Sequence, residues 1–199
     1  MPLYETQSRD ESNETDVFGA DWQAQIFKPS IAHTITLCKL RLYRVGSPGT
    51  VTVGVRAVAA GEPTGADLAS GTIDGNTLGT ATAGATVQVI FTTPISLTAA
   101  TSYALVIRVP SGNISNALGL RIGGVSLPTN PYANGDIYRS ADSGGTWTLG
   151  YAGDYDLWFE EWGMDVGSSL WIEADKLRYI DGTFLLERAT KYEGEQETF

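Results

Sequence analysis

One cysteine and one histidine are all that 199 residues offer of the two side chains most used for metal cages and nucleophilic chemistry. Cys38 has no partner for an internal disulfide. It sits in an apolar alternation, where a buried and inert thiol is expected. One His and one Cys exclude the usual zinc cages. Basic residues are scarce: 13 Lys and Arg stand against 23 Asp and Glu, for a net charge of −10. No basic stripe is available to neutralise phosphates, which argues against nucleic acid or an anionic membrane as partner. Long hydrophobic runs are also missing. Nothing approaches the ~18 apolar residues of a membrane helix. The N-terminus lacks the basic start and apolar stretch of a cleavable signal, so synthesis in the cytoplasm is expected. Helical periodicity is absent throughout.

What the chain has is period two. Trp22, Ala24 and Ile26 alternate with polar residues and open a first strand. In 33–45, Cys38, Leu40 and Leu42 share one face, with Ile35 and Leu37 out of phase, which predicts a bulge near 37–38. Gly46-Ser47-Pro48-Gly49 is a turn signal before Val51, Val53 and Val55, and the two segments read as a hairpin. Residues 60–67 read as a loop before a short strand at 68–73. Val87–Phe91, Tyr103–Val109, Leu118–Ile122 and Tyr155–Phe159 alternate again. At least eight short strands separated by turns predict an all-β, two-sheet antiparallel β-sandwich of the jelly-roll kind.

The acidic ends stand apart. Residues 1–17 show no hydrophobic period and read as a solvated N-terminal arm, with net charge −4 over residues 1–16. The sandwich is expected over 18–162. Residues 163–199 read as a small-residue linker followed by a C-terminal β-hairpin tail, with three short strands at 170–173, 176–180 and 183–188. Asp181-Gly182 is the hairpin signal. Leu170, Trp171, Leu177, Tyr179, Phe184 and Leu186 have too little of their own to pack on and are expected to form an interface with the sandwich or with a neighbouring subunit.

Few constellations suggest chemistry. His33 precedes a strand, and no G-x-S-x-G elbow supplies a serine. Asp154, Asp156 and Glu160, with Trp158 between, would be a sugar-cleaving row if they shared one strand face. The alternative is a solvated outer face. Ser140-Ala141-Asp142-Ser143-Gly144-Gly145-Thr146-Trp147 matches the Asp-box pattern S-x-D-x-G-x-T-W. In that device the Asp side chain takes backbone amides of the turn, Gly relaxes the backbone, and Trp plugs the base. Ser140, Asp142, Gly144, Thr146 and Trp147 are therefore read as structural. Late aromatics and amides (Tyr132, Asn134, Asp136, Tyr138, Tyr151, Tyr155 and Trp158) form the candidate glycan-binding set. Loop carboxylates and carbonyls around Asp136 or Asp154 could hold Ca²⁺, although no EF-hand spacing occurs. The sequons at Asn13 and Asn113 are read as chance.

The segments WQAQIFKPSIAHTITLCKLRLYRVGSPGTVTVGVRA, GEPTGADLASGTIDG, FTTPISLTAATSYALVIRVPSG, SADSGGTWT and DLWFEEWG resemble a recurrent jelly-roll module of bacterial surface and phage virion proteins. The resemblance covers residues 22–162. Ala100 departs from it, standing where glycine is common. The tail LWIEADKLRYIDG is similar to short C-terminal hairpins of tailed-phage structural proteins. Such modules are carbohydrate-binding-like or adhesive, and no catalytic residue transfers. The resemblance implies a non-enzymatic virion exterior protein (capsid decoration, tail or fibre component). Its partners would be other virion proteins, copies of itself as a homo-oligomer, and host-surface carbohydrate, without membrane insertion. A carbohydrate-binding module of a cell-surface protein is the alternative, and a jelly-roll glycanase a third reading.

Overall fold

Alternating side chains bury one face of a strand each, and here they close two antiparallel sheets on one another. The computed structural model describes residues 1–9, 13–124 and 131–165 in full, and the backbone of 176–180 and 183–187. The strands are β1 (Leu3–Gln7), β2 (Asn13–Val17), β3 (Trp22–Phe27), β4 (His33–Val45), β5 (Thr50–Ala59), β6 (Glu62–Asp74), β7 (Ala85–Leu97), β8 (Tyr103–Arg108), β9 (Ala117–Gly124), β10 (Ile137–Ser140), β11 (Thr148–Leu149), β12 (Tyr155–Leu157) and β13 (Phe159–Asp165). One sheet runs β1-β13-β4-β9-β12, with β2 also on β9 and β7 also on β4. The other runs β11-β10-β3-β8-β5-β6. The chain steps between the sheets at most connections, as in a jelly-roll. Among the described residues the only helical turns are short 3-10 pieces, and no helix is long and apolar enough to cross a membrane.

The core lies between the sheets. Ile35, Cys38, Leu40 and Leu42 of β4 meet Val51, Val53 and Val55 of β5 and Leu105 and Ile107 of β8, with Phe27, Phe91, Leu118, Leu120 and Phe159 filling the space. The expected bulge in β4 exists. It falls between Ile35 and Leu37, at Thr36, where the pairing with both β7 and β13 slips. That slip lets Ile35 and Cys38 share the core.

Four expectations are corrected. First, β4 and β5 do not form a hairpin; they belong to different sheets. The Gly46–Gly49 turn carries the chain across, held by the Ser47 amide donating to Asn116 Oδ1 at 2.8 Å. Turn residues read alike whether the chain reverses within a sheet or steps to the facing one. Second, 60–67 is not a loop. Ala60 and Gly61, both at positive φ (+51° and +85°), make a two-residue reversal into β6. Pro63 is tolerated there because β6 is an edge strand.

Third, residues 1–17 are not a solvated arm. β1 pairs with β13 and β2 with β9, and Glu5, Gln7 and Val17 are buried. Their inward residues are mostly polar, so hydrophobic periodicity could not reveal them. Fourth, β13 continues past the expected boundary at 162 to Asp165. The chain divides into one unit over Met1–Val166 and a second over Gly167–Phe199. In the second, β14 (Lys176–Ile180) pairs with β15 (Thr183–Glu187), so that Leu177 faces Leu186 and Tyr179 faces Phe184 in register. Leu170 and Trp171 lie outside the described residues.

Ala100, the departure from the resembling modules, adopts φ +58°. The left-handed turn is kept without glycine. Gly119 is different. It stands opposite Tyr43, whose buried ring lies across it. A Cβ at Gly119 would sit 2.0 Å from the ring. Gly119→Ala is expected to lower the urea-unfolding free energy by about 1–3 kcal/mol through overpacking, and adding Tyr43→Leu to recover part of that loss.

Candidate functional site

The tryptophan-bearing turn after β10 is built from its own side chains. Asp142 Oδ1 accepts the Ser140 hydroxyl at 2.7 Å and the Thr146 amide at 2.8 Å, while Oδ2 accepts the Thr146 hydroxyl at 2.8 Å. Ser140 Oγ in turn accepts the Gly144 amide at 2.8 Å. The bond from the Thr146 amide, then those from the hydroxyls, holds the Asp142 carboxyl down at about 2. Gly144 turns at φ +84°, and a side chain there would strike the Trp22 ring. Trp147 is laid on the outer face of the second sheet, against Ala24, Ile26, Ala104 and Val106, with Trp22 and Tyr138 at the margin. Trp22, Ala24 and Ile26 therefore face outward. The inward residues of β3 are Gln23, Gln25 and Phe27.

Beside this patch, the guanidiniums of Arg56 and Arg108 each lie 5.3 Å from the Trp22 ring. Asp67 binds both arginines. Burial pushes its carboxyl up, but the two guanidiniums outweigh that and leave it lowered.

The candidate glycan set divides. Tyr132 is buried; its hydroxyl donates to Glu5 Oε2 at 2.8 Å and its ring meets Phe159 edge-on at 5.2 Å. Trp158 is buried, and its backbone amide donates to Arg121 O at 2.9 Å. Tyr138 is half-buried under the Trp147 patch. Burial of Tyr132 and Trp158 takes those two rings out of a surface site, while Tyr138 keeps part of its surface exposed. Asn134 is exposed and Asp136 half-buried, with burial pushing the Asp136 carboxyl up. Tyr151 is exposed, beside half-buried Tyr155 at 5.5 Å and an angle of 56°. Tyr151, Ala152 and Gly153 all have positive φ (+51°, +55° and +82°), a left-handed run that costs energy at the two non-glycine positions. The Asp136 carboxyl lies next to Gly153.

The three acids weighed for sugar cleavage are not on one face, a further correction. Asp156 is fully buried and points to β3. It accepts Gln25 Nε2 at 2.6 Å and the Tyr132 amide at 2.9 Å. Glu160 faces outward, with Lys39 Nζ at 3.1 Å and the Trp162 indole N–H donating at 2.7 Å. Asp154 is half-buried at the end of the left-handed turn. The Trp158 amide bond to Arg121 interrupts the alternation between β12 and β13, so even spacing in sequence does not give one face. Among the described residues no group of three or more His, Cys, Asp or Glu is placed to hold a metal ion. Cys38 is buried, and desolvation pushes its thiol up.

Sequence reasoning missed a polar network. Glu5, Gln7, Gln25 and Glu161 are all buried. Gln25 Oε1 accepts the Leu157 amide at 2.7 Å, and Gln7 donates to the Asp156 and Leu157 carbonyls. Glu161 Oε1 lies 2.8 Å from His33 Nε2, with both side chains fully buried. The available signal was Gln23 and Gln25 in phase with Phe27: two amides on a core-facing edge require buried partners.

The class these elements define is an antiparallel β-sandwich with an outward tryptophan patch and a buried acidic network. Comparison with protein-family models gives no match, and comparison with curated proteins gives none.

Two pH effects of opposite sign follow. Burial pushes Asp156 up to about 7. The folded state then holds a proton that the unfolded state gives up near its ordinary value of about 4. This contribution is full below about pH 4 and is lost as pH rises to about 7. His33, raised overall because its bonds to Glu161 and Ile31 outweigh desolvation, and Glu161, raised by burial, act in the same direction. Asp142 acts oppositely: its contribution is lost as pH falls from about 4 toward 2. Urea midpoints are expected to peak in mild acid and to be lower at about pH 8 than at about pH 5. Asp156→Ala leaves two buried donors unpaired and is expected to cost about 2–4 kcal/mol. Asp142→Ala is expected to redden Trp147 emission before global unfolding, with Asp142→Asn doing so less.

Proposed function

We propose that this chain is a non-enzymatic structural protein of a tailed-virus particle, on the virion exterior as a capsid decoration, tail or fibre component, and that it works by contact with other virion proteins and with copies of itself. The observation that carries the reading is the second unit. A two-stranded ribbon is marginal in water and gains stability by packing on a further surface. The β14–β15 register sets Leu177 opposite Leu186 and Tyr179 opposite Phe184, which concentrates apolar residues at facing positions. The sandwich supports the same reading in another way. Asp156, the fully buried one of the three acids weighed for sugar cleavage, is spent on Gln25 and Tyr132. The net charge of −10 favours protein or glycan over nucleic acid as partner. Mass spectrometry of purified particles against cell fractions tests this: the chain is expected to co-purify with particles in stoichiometric amount. Recovery only in the soluble fraction would overturn it. Deleting 167–199 is expected to lower the assembly state, read by light scattering, while leaving the unfolding midpoint of the sandwich nearly unchanged.

A carbohydrate-contacting role is the second reading, favoured by the exposed Tyr151 ring held in a left-handed turn beside Tyr155. Strain of this kind accumulates where a side chain is being displayed. On a glycan array, retention that is lost with Tyr151→Ala and kept with Tyr138→Ala would support it. No retention at all would leave contact with protein as the sole function proposed.

A further inference from the structure

The first strand is seated largely by polar side chains. β1 lies at the end of its sheet and pairs with β13. It contributes little apolar area: Met1 is 67% and Leu3 42% exposed, and its buried residues are Glu5 and Gln7. Beside its backbone ladder to β13, polar side-chain contacts of Tyr4, Glu5, Thr6 and Gln7 seat it, the Thr6 hydroxyl donating to the Phe159 carbonyl at 3.2 Å. The Tyr4 ring stacks on the His33 imidazole at 3.6 Å and 5°, and its hydroxyl donates to Asp165 at 2.7 Å. Glu5 accepts the Tyr132 hydroxyl and the Ser30 amide, both at 2.8 Å. Gln7 donates to the Asp156 and Leu157 carbonyls at 3.2 Å.

Beneath these contacts lies a pair that needs one extra proton. His33 Nδ1 faces the Ile31 carbonyl at 2.8 Å, a contact that is bonding only when this nitrogen carries hydrogen. His33 Nε2 faces Glu161 Oε1 at 2.8 Å. That second contact is bonding only as imidazolium with carboxylate, or as imidazole with carboxylic acid. Both forms hold the same proton. Without it, one imidazole N–H serves two acceptors, and a lone pair faces either the carboxylate or the Ile31 carbonyl. Glu161 Oε2 already lacks a partner, and Glu5 is the cross-strand neighbour of Glu161. The deprotonated pair would therefore set two buried carboxylates side by side with no cation between them. The other titratable groups facing the pair are Tyr4 on β1, Cys38 on β4, Tyr132, and Asp165 on β13. Burial and the Asp165 bond push Tyr4 up to about 12. Burial first, then the Glu5 bond, raises Tyr132, and burial first, then Glu161, raises Cys38. Those three stay protonated at neutral and mildly alkaline pH. At the pair itself the proton left to leave is the one shared by His33 and Glu161; Asp156, raised to about 7, also titrates in this range but meets β1 through its backbone carbonyl, which accepts from Gln7.

We propose that β1 is a proton-latched strand: it stays docked on β13 while the His33–Glu161 pair holds its shared proton and leaves the sheet edge when that proton is lost. β1 is the element that yields because it carries Glu5 and Tyr4 and forfeits little hydrophobic burial on leaving. The latch opens on the alkaline side.

His33 is the sole histidine, so its imidazole resonances are unambiguous by NMR. In the full chain, the backbone amides of Leu3–Gln7 are expected to lose about tenfold or more in exchange protection, corrected for intrinsic rate, between about pH 6 and about pH 9. The central strand β8 should lose much less. The midpoint of the β1 loss should coincide with the His33 titration. In Glu161→Gln an amide N–H donates to His33 Nε2 with no shared proton, so β1 protection is expected to become equal at the two pH values. Unchanged β1 protection while His33 titrates, separate midpoints, or a wild-type loss in Glu161→Gln would each overturn the proposal. Should Glu161→Gln fail to fold, the coincidence of midpoints in the unmodified chain decides.

Discussion

A carboxylate removed from water must be met by donors or keep its proton, and the architecture of this sandwich depends on how that demand is answered. Asp67 is answered by two arginines, and its carboxyl is lowered. Asp142 is answered by amide and hydroxyl groups of its own turn. Asp156 has two neutral donors, which do not offset its burial, and its carboxyl is raised. Glu161 has one imidazole, and one of its oxygens is left without a partner. The completeness of the answer decreases along this series, and the well-satisfied acids titrate in acid while the others titrate toward neutrality. The fold is thus sensitive to protons at both ends of the range for different reasons: at low pH its turns lose their acceptors, and at higher pH its interior gains charge.

The second sheet illustrates a related economy. β3 and β8 are buried on both faces, one by the core and the other by Trp147. A sheet covered on one face only would leave Ala24, Ile26, Ala104 and Val106 in water. Their apolar area is covered by one indole carried on a turn whose shape Asp142 sets. Trp22 closes the margin under two guanidiniums. The turn after β10 is therefore part of the packing of β3 and β8, and loosening it uncovers apolar surface two strands wide.

The central strands were legible because period two and burial coincide in them: Val51–Val55, Leu105–Ile107 and Leu118–Ile122 face where alternation puts them. The bulge in β4 was legible for the same reason, since Ile35 and Cys38 cannot both face inward in an unbroken strand. Apart from the turns, what failed has a common physical cause. The pattern records hydrophobic burial and is silent on polar burial. β1 was hidden because Glu5 and Gln7 are buried by hydrogen bonds, and in β3 the alternation marked a strand without showing that Gln23 and Gln25 are the inward pair. Asp156 and Glu160 share a parity but not a face, because the Trp158 amide bonds Arg121 between them. The Asp-box was readable because its chemistry is local, whereas the His33–Glu161 pair spans 128 positions in sequence.

The two sheet margins carry different liabilities. An unpaired edge invites another strand. At the β6 side the backbone is crowded by the facing sheet: a side chain at Gly71 would meet the Ile90 carbonyl at 2.2 Å, and Thr92 donates to the Ser70 carbonyl at 3.1 Å. That edge is shielded by β7. At the β1 side the strand is seated by its ladder to β13 and by polar contacts of Tyr4, Glu5, Thr6 and Gln7. Loss of β1 would bare the outer edge of β13, a row of N–H and C=O groups in the geometry that accepts an added strand. For a protein proposed to work by contact, the margin closed by polar bonds is the one that chemistry can open, because those bonds answer to protons and the apolar core does not.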